Sequence, residues 1–346
     1  MKKERMGVIG DGAMGTLCAV IIGAAGFPVQ LWGRDAVKIA DLARTRENTR
    51  YLPGIKLSTE IRFTADLDEI IANCDALICA VPTQHIRLVL QRSARNPATS
   101  MPVISVAKGI ENSTLLCPTE IISDRWPQVR TGCISGPAIA HEIAAGLPAT
   151  IVAASAHDDI LALMHRLFTT SSLRVYSNTD VRGVELAGAT KNIIAIAAGI
   201  LDGMEAGTNA KASLMTRGLV EISRLGIAMG SQAETFSGLA GMGDLITTCF
   251  APEGRNRCFG QLIGSGISAS DALARSRGVV EGMPTTRSVV DLARRLGIEM
   301  PISQGLYEVL FFGKSPRDAI ASLMSRQPRH EGISGPQHPA PPAANA

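Results

Sequence analysis

Gly10, Gly12 and Gly15 form a glycine-spaced turn directly after the apolar run Arg5 to Ile9 and directly before a helical stretch. A turn of this kind between a buried strand and a helix constrains the fold more than any other feature of the chain. Gly10 permits the tight turn, Gly12 lets the backbone approach a pyrophosphate, and Gly15 lets helix and strand pack closely. The helix N-terminus then offers unpaired N–H groups to phosphates. A purely structural Gly-rich turn is the alternative. The second apolar strand, Pro28 to Trp32, ends about 20 residues on and favours the dinucleotide reading.

Further short apolar runs follow at Asp75 to Val81, Met101 to Val106 and Val129 to Ile134, with helical patterns at Asp35 to Arg46, Asp66 to Asn73 and Gln84 to Ser93 between them. Strand–helix alternation with near-continuous apolar strands predicts a parallel sheet covered on both faces. After about residue 180 the pattern is helical: Val181 to Leu201, Asn209 to Ala228, Pro284 to Leu296 and Pro301 to Phe311. The expected class is therefore α/β: an N-terminal doubly wound, Rossmann-type parallel sheet with an all-α C-terminal domain. The expected divisions are 1–185 for dinucleotide binding, 186–326 for the helical substrate domain, and a disordered tail at 327–346, rich in Pro, Ala, Gly and His. The length of 346 residues suits two domains at ~150 residues each.

Charge and cysteine usage exclude several classes. The chain has 34 Lys+Arg against 31 Asp+Glu, a net charge of +3 without a basic run, which is no nucleic-acid footprint. Seven cysteines, an odd number without CxxC or Cys/His spacing, argue against a disulfide scaffold and a zinc site and fit a cytoplasmic protein. Residues 12–33 lack charge and follow Lys2, Lys3 and Arg5, as a membrane anchor would. Five glycines and Pro28 weaken that reading, and a helix followed by a buried strand explains the same residues.

Several residues could carry chemistry. Arg34 follows the second strand, where a 2′-phosphate would lie, and favours NADP over NAD. Asp35 is open as a ribose ligand or as the next helix's N-cap. Thr83, Lys108 and Gly136 stand near the carboxyl ends of strands, where open α/β sheets bind ligands. Lys108 is open as an anion ligand or a solvated loop lysine. Lys191 is the one base in a long small and apolar stretch. Partly desolvated, it would have a lowered pKa and exchange a proton; a snorkelling lysine is the alternative. Asp244 ends a glycine-spaced loop, as a site carboxylate or a capping Asp. Gly254, Arg255, Asn256 and Arg257 offer guanidinium forks and an amide to a phosphate dianion, or form an exposed basic loop. His85, His141 and His165 lack spacing partners and read as ordinary polar residues.

Taken in order, GDGAMG, LWGRD, AVPTQHIR, VAKGIE, SGPAIAHEIAAGLP, VELAGATKNIIAIAAGI, TRGLVEISRLG, GLAGMGDLITTC, GRNRCFG and VVEGMPTT resemble the bacterial-type NAD(P)-dependent glycerol-3-phosphate dehydrogenases, from residue 5 to about 325. The resemblance implies reduction of dihydroxyacetone phosphate to sn-glycerol 3-phosphate by NADP(H) or NAD(H), without a metal, for glycerophospholipid synthesis. It makes Lys191 the proton-transfer residue and places Lys108, Gly136, Ala138 and Asp244 on the substrate, with Gly254, Arg255 and Asn256 around its phosphate. It assigns Gly10, Gly12, Ala13, Met14, Gly15, Arg34, Lys108, Ala140, Arg255, Val279 and Glu281 to the cofactor. It also implies a small-molecule partner, no membrane span and a homodimer.

The chain departs from the family pattern in two places. Ala13 and Met14 replace a Ser and an aromatic, which removes a hydroxyl contact to the pyrophosphate and leaves the backbone N–H contacts. Ala138 replaces Ser or Thr, so its side chain offers the substrate no hydrogen bond. Both touch affinity more than reaction type. A related enzyme acting on another hydroxy or keto acid is disfavoured by the Gly254–Asn256 segment, and a cofactor-sensing binding protein by Lys191.

Overall fold

A computed structural model of the chain describes residues 3–276 and 278–327. The tail expected from 327 therefore lies, from residue 328 on, outside the described residues.

The first half alternates as expected: β1 (Met6–Ile9), α1 (Ala13–Ala24), β2 (Val29–Trp32), α2 (Ala36–Thr45), β3 (Glu47–Asn48), β4 (Leu52–Lys56), β5 (Ile61–Thr64), α3 (Leu67–Asn73), β6 (Ala76–Cys79) and α4 (Thr83–Leu90). It continues with β7 (Pro102–Ser105), α5 (Pro118–Arg125), β8 (Arg130–Ser135), α6 (Ala140–Ala144), β9 (Ala149–Ala154), α7 (Asp158–Phe168) and β10 (Leu173–Asn178). Eight strands form one sheet in the order β10-β9-β8-β7-β6-β1-β2-β5. β1, β2, β6 and β7 are buried along nearly their whole length because helices cover both faces.

The sheet departs from the expected all-parallel form at one junction, since β8 and β9 pair antiparallel, Ile134 opposite Ala153. The chain leaves β8 at Gly136 and returns through the five-residue helix α6. A full crossover to a parallel strand usually takes a dozen or more residues and a longer helix. β5, β9 and β10, and the small β3–β4 hairpin, are strands absent from the sequence reading. The hairpin is fastened to the glycine turn: Asn48 Nδ2 donates to the Asp11 carbonyl at 2.9 Å and to Thr16 Oγ1 at 2.7 Å.

The second half contains α8 (Val181–Gly203), α9 (Thr208–Ala228), α10 (Ala233–Ser237), α11 (Asp244–Phe250), α12 (Arg255–Gly264), α13 (Ala269–Arg275), α14 (Gly282–Leu296), α15 (Pro301–Phe312) and α16 (Pro316–Met324). The division expected at 185 falls inside α8, which is continuous from Val181. α8 is the one helix among the described residues long and apolar enough to cross a membrane, and 94% of its most apolar window is buried within the protein. The uncharged stretch 12–33 is divided between α1 and β2.

Glycines let α8 and α12 touch backbone to backbone. A Cβ on Gly199 would stand 2.0 Å from the Arg257 carbonyl oxygen, and one on Gly260 would stand 2.0 Å from that of Ile196. Only glycine fits at such a contact. This seam brings the first turn of α12 close to Lys191 on α8.

Candidate active site

The dinucleotide turn is closed toward the protein and open away from it. Gly10 has φ +119°, and a Cβ there would meet the Ala80 carbonyl oxygen at 2.7 Å. A Cβ on Gly15 would meet the Gly10 carbonyl oxygen at 1.9 Å, whereas one on Gly12 meets nothing within 4 Å. Gly12 N-caps α1 without a side-chain bond. The first intrahelical bond runs from Thr16 N to Gly12 O at 2.9 Å, which leaves the N–H groups of Ala13, Met14 and Gly15 for an anion. These backbone features fit a pyrophosphate without a hydroxyl at position 13.

At the end of β2 the two roles of Asp35 separate. Asp35 Oδ1 accepts from Val37 N at 3.1 Å and Lys38 N at 3.3 Å, so it is the α2 N-cap. Arg34 is exposed and has no polar partner among the described residues. The Asp11 carboxyl packs against this strand end, because a Cβ on Gly33 would stand 2.9 Å from its Cγ.

Lys191, Asp244 and Lys108 meet where the sheet and the helical half join. Lys191 Nζ donates to Asp244 Oδ1 at 2.5 Å and to Thr248 Oγ1 at 2.5 Å. Lys108 Nζ donates to Asp244 Oδ2 at 2.5 Å and to the Gly136 carbonyl at 3.1 Å. Gly136 turns the chain there with φ +109°. Lys191 is 7% exposed and Asp244 1%. Burial pushes the Lys191 pKa down to about 8; Asp244 opposes that shift and the Lys108 charge adds to it. A buried lysine near neutrality, held by a carboxylate, can give and take a proton.

The first turn of α12 leaves backbone N–H groups open. Its first intrahelical bond is Cys258 N to Gly254 O at 2.8 Å, so the N–H groups of Arg255, Asn256 and Arg257 lack helical acceptors. Asn256 is buried: its Nδ2 donates to Asn192 Oδ1 at 2.9 Å and its Oδ1 accepts from Gly282 N at 3.0 Å. One amide thus joins α12, α8 beside Lys191, and the start of α14. Arg255 is exposed, without a hydrogen-bond partner among the described residues.

Glu281 is half-buried. Burial raises its carboxyl pKa, against the pull of Arg255, Lys108 and Lys191. It lines a cavity of about 250 Å³ together with Thr83, Lys108, Gly109 and Thr285. Val279 is exposed on the rim. Met14, Ala138 and Ala140 are half-buried against the core of the sheet half. Among the described residues no group of three or more His, Cys, Asp or Glu could hold a metal ion.

Sequence reasoning missed Asn48, Asn192 and Thr248. Thr248 lies one helical turn beyond Asp244 and also donates to its carbonyl at 2.7 Å, a spacing that could have marked it. Asn48 reaches across 37 residues to Asp11 and carries no local signal.

Residues 5–161 match the family model for the NAD-dependent glycerol-3-phosphate dehydrogenase N-terminus, and residues 180–321 match that for its C-terminus. The chain belongs to the NAD-dependent glycerol-3-phosphate dehydrogenase family. Glycerol-3-phosphate dehydrogenase (NAD(P)+) of Citrifermentans bemidjiense is 43% identical over 333 residues, covering 95% of this chain and 99% of that one. The Geobacter sulfurreducens protein of the same name is 43% identical over 331 residues, at 95% and 99% coverage. Among solved structures, glycerol-3-phosphate dehydrogenase from Coxiella burnetii superposes with a TM-score of 0.90 at 33% identity, over 94% of this chain and all of that one. The Lys191, Asp244 and Lys108 cluster of this glycerol-3-phosphate dehydrogenase family member lies at the junction of its two matched halves.

Proposed function

We propose that this chain reversibly reduces dihydroxyacetone phosphate to sn-glycerol 3-phosphate with NADPH or NADH. The observation that carries the reading is the buried Lys191 bonded to Asp244 at 2.5 Å, beside an uncapped helix start at Gly254. Ala13, Met14 and Gly15 would hold the cofactor pyrophosphate through their N–H groups, with Arg34 at the adenosine ribose and Glu281 at the far end. The nicotinamide, when bound, supplies the hydride for the carbonyl carbon. Lys191 donates a proton to the carbonyl oxygen in reduction and recovers it in oxidation. Asp244 orients the ammonium. Arg255 and the α12 N–H groups bind the phosphate dianion, while Lys108 beside Gly136 faces the reacting end of the substrate.

The divisions 1–185 and 186–326 for cofactor and substrate, a homodimeric assembly, a cytoplasmic location and a role in glycerophospholipid supply belong to the same proposal and rest on family membership. The test follows NADPH absorbance with dihydroxyacetone phosphate present and absent. Oxidation that depends on the phosphorylated ketone supports the reading, and equal turnover of a non-phosphorylated keto acid overturns it.

A further inference from the structure

The cavity beside Lys108 contains a buried hydroxyl that nothing in the proposed chemistry uses. Thr83 opens α4, is 2% exposed, and its Oγ1 has no hydrogen-bond partner. It lies against Gly109, where an added Cβ would stand 2.8 Å from it. The nearby Thr285 hydroxyl, which donates to the Glu281 carbonyl at 2.7 Å, makes no hydrogen bond to it. A buried hydroxyl left unpaired costs a protein stability, and native structures retain few of them without a functional reason.

The sheet order says what could occupy this cavity. β2, with Arg34 at its end, flanks β1 on one side, and β6 and β7 lie on the other. A dinucleotide whose pyrophosphate rests on α1 and whose adenosine reaches Arg34 must send its other half across the ends of β6 and β7. Thr83 follows β6 and Gly109 follows β7, and both line the cavity. The same cavity holds the Glu281 carboxylate, an acceptor lying beside the Thr83 backbone N–H, and Lys108, whose ammonium is engaged by Gly136 and Asp244. A free hydroxyl donor and a carboxylate acceptor side by side in one small cavity match a primary carboxamide, which has one carbonyl and one amino group.

We propose that Thr83 determines how the nicotinamide is oriented: its hydroxyl donates to the carboxamide carbonyl while Glu281 accepts from the carboxamide nitrogen. This rests on the cofactor part of the proposed function. The pair fixes the ring's rotation about its glycosidic bond and so presents one face toward Lys191.

The test is a direct titration of NADPH into the protein without substrate, with melting temperature measured alongside. Thr83→Val removes the hydroxyl and keeps the shape. Kd for NADPH is expected to rise roughly 2- to 12-fold, the worth of one neutral hydrogen bond. The melting temperature of the free protein is expected to hold or rise, since an unpaired polar group has been removed. Thr83→Ser is expected to restore the wild-type Kd. An acetylpyridine cofactor, in which a methyl replaces the amino group, keeps the carbonyl and should lose the same factor in Thr83→Val. An unchanged NADPH Kd in Thr83→Val overturns the assignment, as does a loss confined to the KM for dihydroxyacetone phosphate. A fall in melting temperature that Thr83→Ser repairs, with Kd constant, also overturns it and leaves Thr83 a structural residue. If the wild type does not turn over dihydroxyacetone phosphate, the proposed function fails, and the titration still decides the Thr83 assignment.

Discussion

Lys191 Nζ and Asp244 Oδ1 lie 2.5 Å apart, although the two residues are 53 positions apart in the chain. The other oxygen of the same carboxylate takes Lys108, also at 2.5 Å. Two ammonium groups share one buried carboxylate, so the cluster holds one positive charge in excess. That charge, together with Arg255 and the open start of α12, favours a phosphate dianion over a neutral ketone.

Replacing Lys191 by Ala should abolish turnover and leave cofactor binding intact, because the residue is joined to Asp244 and Thr248 and not to the glycine turn. Loss of general acid catalysis alone costs about 10²–10⁴ in rate. Steady-state kcat and an NADPH titration on the folded variant check this, and a near-normal kcat contradicts it.

The pH profile follows from the lowered Lys191 pKa of about 8. Reduction needs the protonated amine, so its kcat should be constant below about pH 8 and fall about tenfold per unit above it. Oxidation needs the neutral amine and should rise through the same region to a plateau. Lys108→Met removes a neighbouring positive charge and should move the midpoint up. Asp244→Asn removes the charge that favours the ammonium and should move it down. Rate profiles in both directions would show these shifts, and coincident midpoints in all three proteins would refute the assignment.

Arg255→Ala should raise the KM for dihydroxyacetone phosphate. Arg255 is exposed, so the loss is that of a charge-assisted hydrogen bond rather than of a buried ion pair. That is about 1.5–3 kcal/mol, or roughly 10- to 150-fold. An unchanged KM places the phosphate elsewhere.

The sequence shows what is local and misses what is brought together. β1, β2, β6 and β7 are legible because strands buried on both faces read as short continuous apolar runs. β10 is an edge strand with exposed Arg174 and Tyr176, and its weaker pattern escapes that reading. The antiparallel turn into β9 leaves no trace either, because pairing direction is not written in either strand. Lys191 stands out as a charge in an apolar helix, and Asp244 as the end of a glycine-spaced loop. Their partners do not stand out: Thr248 is one of two adjacent threonines, Asn192 reaches Asn256 across 64 residues, and Thr83 is marked only by having no partner.

Cofactor choice turns on Arg34. It is exposed at the end of β2 with no polar partner among the described residues, so its guanidinium is available to a 2′-phosphate. Asp35 does not compete, since its carboxylate caps α2 through Val37 N and Lys38 N and pairs with Lys38 at 3.2 Å. One carboxylate does stand near: Asp11, packed against Gly33, which would repel a 2′-phosphate and tempers the preference. Both cofactors should therefore work, with the lower KM for NADPH. Arg34→Ala should raise the NADPH KM about 5-fold or more, the worth of a charge-assisted contact partly screened by solvent. It should leave NADH nearly unchanged, while Asp11→Asn should widen the gap in favour of NADPH. Both cofactors should be measured on wild type and variants at one ionic strength, because exposed charge contacts weaken with salt. An Arg34→Ala variant that weakens NADPH and NADH by the same factor would show that the guanidinium meets a part the two share, such as the adenine face, and not the 2′-phosphate.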